Sequence, residues 1–279
     1  MEVHHQQADE SIQVSLWWLS YPLLGVFAGF VAGLFGVGGG LTIVPLLFMI
    51  FTAQQFPLEH SMHLALGTSM ATIAFTSISS MRAHHGHGAV RWDIVRSFAP
   101  GLMIGTFAGS FIAAWVPTRP LAMMFTAIVY YAAVQIMRDS RPKPHRQLPG
   151  ALGMAITGLL IGVVSSLVAA GGGFLSIPFM VFCNVAIHHA VGTSAALGFP
   201  IAVAGTIGFI ISGLKAPGLP EFSLGYVYLP ALVGVVVVSF LMAPVGARLA
   251  HKLPVRQLKR AFGGFLALLA TKMLHGLLS

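Results

Sequence analysis

Long uncharged apolar runs alternate with short charged stretches along almost the whole chain. Residues 16–51, 97–118, 120–137 and 148–214 contain no Lys, Arg, Asp or Glu. About 20 apolar residues cross a bilayer, so these runs hold several spans, and the pattern predicts an all-α integral membrane protein. The expected full crossings are 60–81, 97–115 and 120–137, then 189–213, 223–246 and 258–277.

Two of the runs are interrupted in the same way. Gly38-Gly39-Gly40-Leu41-Thr42-Ile43-Val44-Pro45 is answered by Gly171-Gly172-Gly173-Phe174-Leu175-Ser176-Ile177-Pro178. Glycine favours a break and a following proline removes a backbone donor. Further landmarks repeat in the same order: Leu66-Gly67-Thr68-Ser69 against Val191-Gly192-Thr193-Ser194, and Pro117-Thr118-Arg119-Pro120-Leu121 with Phe125 against Pro254-Val255-Arg256-Gln257-Leu258 with Phe262. Such order points to an internal duplication. The expected organisation is a tail at 1–15, a first repeat at 16–137, a cytoplasmic linker at 138–150 and a second repeat at 151–279.

Lys and Arg concentrate on the cytoplasmic side of membrane proteins. The rich loops are Arg82/Arg91/Arg96, Arg138/Arg141/Lys143/Arg146 and Arg248/Lys252/Arg256/Lys259/Arg260, whereas the acidic N-terminus and the surroundings of Glu59, Arg119 and Lys215 to Glu221 are poor. All three basic loops lie inside only if each glycine-broken segment enters and leaves on one face, as a re-entrant or short-helix hairpin. Each half then contributes a hairpin plus three crossings. That odd number inverts the second half, the plan of many secondary transporters, whose sites lie near the midplane. The expected location is the inner membrane, multi-pass, with the acidic N-terminus outside.

Composition narrows the classes. At 56% hydrophobic and 8% charged residues, the chain is far from a soluble domain, where about a quarter of residues are charged. The net charge of +8 resides in loops between apolar runs and reads as topology, so no nucleic-acid partner is expected. Glu2, Asp9 and Glu10 replace the positive region of a secretory signal. The single cysteine, Cys183, excludes an internal disulfide framework. No Asp or Glu falls in an expected span, which disfavours a proton or cation pathway built on carboxylates. No nucleophile and base, zinc signature or phosphate loop stands at usable spacing, so neither an enzyme nor a cofactor is expected.

The breaks carry the candidate chemistry. Non-helical backbone at membrane depth must be buried in protein or line a wet cavity, and a helix starting after Gly40 or Gly173 offers free N–H groups at a positive dipole end. Gly38, Gly39, Gly40 and Gly171, Gly172, Gly173 are therefore expected to hold a small anion. Gly67, Thr68, Ser69 and Gly192, Thr193, Ser194 would line the same site, the hydroxyls donating to an oxyanion or else satisfying helix carbonyls. His63, and His188/His189 at the matching place, are candidates for contacting substrate or protons. His84, His85 and His87 form a dense cluster that reads as a solvated loop; as metal ligands with His63 they would make the protein a transition-metal permease. A membrane scaffold that transports nothing is the third reading.

Gly33-Leu34-Phe35-Gly36-Val37-Gly38-Gly39-Gly40 with Pro45, the Gly-Thr-Ser that follows, His84-His85-Gly86-His87-Gly88-Ala89-Val90, Pro100-Gly101 and their second-half echoes resemble the TauE/SafE family, the sulfite exporter-like transporters. The resemblance covers about residues 20–275. It implies a plasma-membrane carrier for sulfur-containing anions such as sulfite, sulfoacetate or other organosulfonates, with the lipid bilayer and a small anion as partners. It leaves the exact anion, the direction, the coupling ion and the oligomeric state open. Ala169-Ala170 stands where the first half has Gly36-Val37, and nothing echoes the His-rich loop, so the halves are not chemically equivalent.

Overall fold

The computed structural model describes residues 19–31, 39–138, 146–250 and 255–278. Its helices are α1 (Leu19–Val31), α2 (Gly40–Ala53), α3 (Leu58–Gly86), α4 (Trp92–Trp115), α5 (Thr118–Arg138), α6 (Ala151–Val168), α7 (Gly173–Phe182), α8 (Ile187–Gly213), α9 (Leu229–Ala250) and α10 (Val255–Leu278). The one sheet among the described residues is a two-stranded hairpin, β1 (Ser223–Leu224) and β2 (Val227–Tyr228), pairing Ser223 with Tyr228 and Leu224 with Val227. The all-α expectation holds: α3, α4, α5, α6 and α8 are long and apolar enough to cross a membrane. The expected span at 223–246 begins later, at Leu229, because Gly225, with φ 55°, turns the preceding residues into the hairpin.

The broken segments each form two helices. At 1.5 Å per residue, α2 with 14 residues and α7 with 10 reach about 21 and 15 Å, short of the ~30 Å hydrocarbon core. Both stop in the same manner. Gln55 and Asn184 take left-handed φ of 58° and 62°, and the next amides, Phe56 N and Val185 N, bond back to Phe51 O and Met180 O at 3.0 and 2.9 Å, the 6→1 closure of a helix C-terminus.

Contacts at the helix ends fix directions. One end of the bundle, called here the basic end, carries Arg91 and Arg146. α3 arrives there and α8 departs from it: His189 Nδ1 lies 3.1 Å from Ala89 O, and Arg91 N donates to Thr193 Oγ1 at 3.0 Å. At the opposite end His60 Nε2 lies 3.0 Å from Pro217 O, just past α8, and Tyr228 N donates to Thr68 Oγ1 at 3.0 Å. The helices α3 and α8, each following a glycine break, therefore run antiparallel. Arg146 N, before α6, donates to Phe182 O at the end of α7 at 3.3 Å, so that hairpin has both feet at the basic end. Tyr21 OH, near the start of α1, donates to Gln54 Oε1 at the end of α2 at 2.7 Å, at the opposite end.

Packing crosses between the halves. Gly101, Gly105 and Gly109 of α4 lie over Ala155, Leu159 and Val163 of α6, so closely that a Cβ on Gly101 would fall 2.0 Å from Ala155 O. Small residues at four-residue spacing bring membrane helices into such contact, and the ascending register makes the two parallel. Gly25 and Gly29 of α1 meet Val235 and Ser239 of α9 likewise. Outward faces such as Met103, Ile104 and Phe107 on α4 and Val233, Val237 and Leu241 on α9 are exposed and apolar, the surface that hydrocarbon covers in a membrane protein.

Candidate functional site

Gly39 and Gly172 stand at the N-caps of α2 and α7 with φ of 67° and 81°. Only glycine occupies this region without a Cβ penalty. Gly39 O accepts from Thr42 N, Ile43 N and Thr42 Oγ1 at 3.0, 2.9 and 2.6 Å. In α7, Gly172 O accepts from Ser176 N at 2.9 Å and from Ser176 Oγ at 2.5 Å. The amides at the very start of a helix, Gly40 and Leu41 in one and Gly173 and Phe174 in the other, are those that helix geometry leaves without an intrahelical acceptor.

The two breaks meet. A Cβ on Gly40 would lie 1.8 Å from Ala169 O, the carbonyl of the left-handed residue that ends α6, and 2.9 Å from Ile73 Cδ1 near the middle of α3. On the other side Gly171 O packs over Gly198, and a Cβ on Gly172 would meet Ile201 Cδ1 at 2.6 Å, both near the middle of α8. Gly39, Gly40 and Gly172 are buried, and Gly171 and Gly173 are partly so. Gly38 lies outside the described residues.

The Gly-Thr-Ser residues divide their work. Gly67 and Gly192 let hairpin and loop backbone approach: a Cβ would fall 2.3 Å from Tyr226 O in the first case and 2.7 Å from Ala89 O in the second. The hydroxyls of Thr68 and Thr193 accept from Tyr228 N and Arg91 N, the residues just before α9 and α4. Ser194 Oγ shares a hydrogen bond with Ser176 Oγ at 2.9 Å. Ser69 differs from its counterpart: its hydroxyl is fully buried and has no partner among the described residues. A buried unpaired hydroxyl costs about 1–3 kcal/mol.

His63 is placed away from the breaks. Its Nε2 lies 3.1 Å from Ala113 O and 3.0 Å from Val116 O at the end of α4, its Nδ1 is 3.4 Å from Thr118 Oγ1, and its ring stacks on Tyr226 with centroids 5.0 Å apart. Burial, and then the charge of Glu59, push the Tyr226 phenol up, keeping it neutral. The rings of His188 and His189 lie tilted against each other, centroids 4.1 Å apart, at the basic end. In the His-rich loop His85 Nδ1 accepts from Trp92 Nε1 at 3.2 Å, and among the described residues no three His, Cys, Asp or Glu side chains gather where they could hold a metal ion. Sequence reasoning missed Ser176, Ala169, Tyr226 and Tyr228. A polar residue two places before Pro178 and a glycine, Gly225, just before Tyr226 were the available signals.

The arrangement sets the N-terminus of α2 against the carbonyl that ends α6, a few residues before the N-terminus of α7, and helix N-termini of this kind are suited to negative charge. The sequence profile described as "Sulfite exporter TauE/SafE" matches residues 21–273. A probable membrane transporter protein of Haemophilus influenzae is 38% identical over 252 residues, covering 90% of this chain and 96% of its own length. A probable membrane transporter protein of Bacillus subtilis is 29% identical over 246 residues, with 86% and 91% covered. One from Methanocaldococcus jannaschii is 22% identical, with 92% and 96% covered. No solved structure matches the chain.

Proposed function

This chain belongs to the sulfite exporter TauE/SafE family of membrane proteins, and from that premise we propose that it is a secondary transporter moving small sulfur-containing anions, such as sulfite, sulfoacetate or other organosulfonates, across the plasma membrane. The anion rests where the two glycine breaks meet, held by the first amides of α2 and α7 and by Ser69. The two repeats, inverted about that point, tilt to expose it to either side in turn. The basic end faces the cytoplasm, as the Lys and Arg of its loops favour.

The observation that carries the reading is the meeting of Gly40, at the N-terminus of α2, with Ala169, in a structure where Ser69 keeps a buried hydroxyl with no partner among the described residues. An apolar interior tolerates such groups when a ligand completes their hydrogen bonds. The antiparallel course of α3 and α8, and the two hairpins footed at opposite ends, support the inverted plan.

The test is flux in vesicles of purified protein, comparing labelled sulfite and sulfoacetate with labelled nickel. Anion movement without nickel movement is expected. Nickel alone would replace the reading by a metal permease, and movement of neither would leave a membrane scaffold.

A further inference from the structure

His63 holds its two ring nitrogens in unlike surroundings. Nε2 faces two backbone carbonyls, Ala113 O and Val116 O. Carbonyls only accept, so Nε2 carries a hydrogen whether the ring is neutral or charged. The other nitrogen, Nδ1, faces Thr118 Oγ1 at 3.4 Å, and that hydroxyl spends its only hydrogen on Glu59 O at 2.5 Å. In the neutral ring Nδ1 is an acceptor facing an oxygen with no hydrogen to give. Adding a proton there turns it into a donor aimed at a lone pair, and every polar contact of the ring is then satisfied.

We propose that His63 is the proton-binding site of this transporter, Nδ1 taking up the proton whose movement is coupled to that of the anion. The proposal rests on the transport reading above. The nearest polar groups are acceptors that suit a cation: the carbonyls belong to the C-terminal turn of α4, the negative end of its dipole. The groups facing the ring are His60 on the same helix with centroids 6.4 Å apart, Tyr226 stacked from the hairpin, Thr118 from α5, and the α4 carbonyls; Glu59 approaches through its backbone, its carboxylate lying 3.5 Å from His60 Nε2. Arg119, next to Thr118, is exposed. Burial of a charged ring is costly unless it is hydrogen-bonded, and here three acceptors surround it.

The link to transport is mechanical. His63 stands one helical turn before Gly67 and Thr68, which hold Tyr226 and Tyr228 of the hairpin at this end. The same ring ties α3 to the α4–α5 turn. Proton occupancy therefore biases how tightly the hairpin and that turn seat on α3, the end through which the anion enters or leaves in an alternating cycle.

Two measurements test it. Sulfoacetate accumulation in proteoliposomes, with the membrane potential clamped at zero, is expected to reach about tenfold per unit of imposed pH difference for one proton per anion. His63→Gln, which keeps an N–H for the carbonyls and cannot charge, is expected to show no accumulation above equality; accumulation matching the unmodified protein overturns the proposal. Independently of flux, exchange of the His63 ring C2 hydrogen in the unmodified protein should follow a titration curve, and that curve should move to lower pH in Thr118→Val; a profile that stays flat wherever the protein remains folded overturns the proposal even if His63→Gln fails to fold. A ring that titrates in a protein that moves no sulfoacetate would remove the substrate reading and leave the proton site standing.

Discussion

The contact between Gly40 and Ala169 makes a single methyl group a decisive probe. Gly40→Ala would place a Cβ 1.8 Å from Ala169 O and 2.9 Å from both Ala169 C and Ile73 Cδ1. The isoleucine end can rotate aside, but the backbone carbonyl cannot. Restoring an ordinary contact of ~3.5 Å requires the breaks to part by roughly 1.7 Å. Overpacking of this kind costs about 1–3 kcal/mol, and alanine's better helix propensity returns up to ~1 kcal/mol, so the net loss of stability is modest. Function is affected far more: separating the groups that hold a ligand by ~1 Å can lower rates about 100-fold. Gly264→Ala on α10 is the control, because a Cβ there meets nothing within 4 Å. The assay is initial sulfite flux per folded protein in vesicles, with folding checked by size exclusion and thermal unfolding. Near-normal flux in Gly40→Ala, within about threefold of the unmodified protein, refutes the claim that the junction positions substrate, since the expected loss is ~100-fold.

Gly39→Leu and Gly172→Leu each force a side chain into left-handed backbone at a cost of about 1–2 kcal/mol and crowd the first amides; both should abolish flux while membrane insertion, read by alkaline extraction, persists. Ser69→Ala removes no hydrogen bond among the described residues, so it should weaken anion affinity without lowering the unfolding temperature; Ser194→Ala, which removes the Ser194–Ser176 hydrogen bond while Ser176 Oγ keeps its bond to Gly172 O, should lower that temperature slightly. Thr68→Val and Thr193→Val each leave a backbone amide, Tyr228 N or Arg91 N, without its acceptor and should each destabilise by about 1–3 kcal/mol in detergent unfolding; an unchanged midpoint in both would mean that water replaces the hydroxyl.

Much of the architecture was legible because lipid imposes it. Runs without charge marked the helices, and glycine followed by proline marked α2 and α7, since few other sequences break a helix at membrane depth. The Gly-Thr-Ser repeats were visible as a pattern, but not the partners of their threonines, which lie 160 and 102 residues away. Thr68 and Thr193 grip backbone at the ends of the bundle, a role that composition cannot separate from lining a site. The hairpin around Gly225 passed as the start of a span because Val227, Tyr228 and Leu229 continue the apolar run. For His63, the neighbours that define its chemistry come from α4, α5 and the hairpin, and only folding assembles them.

The most direct test of the central claim is anomalous diffraction from crystals of the purified protein grown with selenite, the selenium counterpart of sulfite. A selenium peak within hydrogen-bonding reach of the Gly40 and Gly173 amides and of Ser69 Oγ is the predicted result. A peak seated elsewhere, or glycine breaks that remain empty at saturating selenite, would contradict the account.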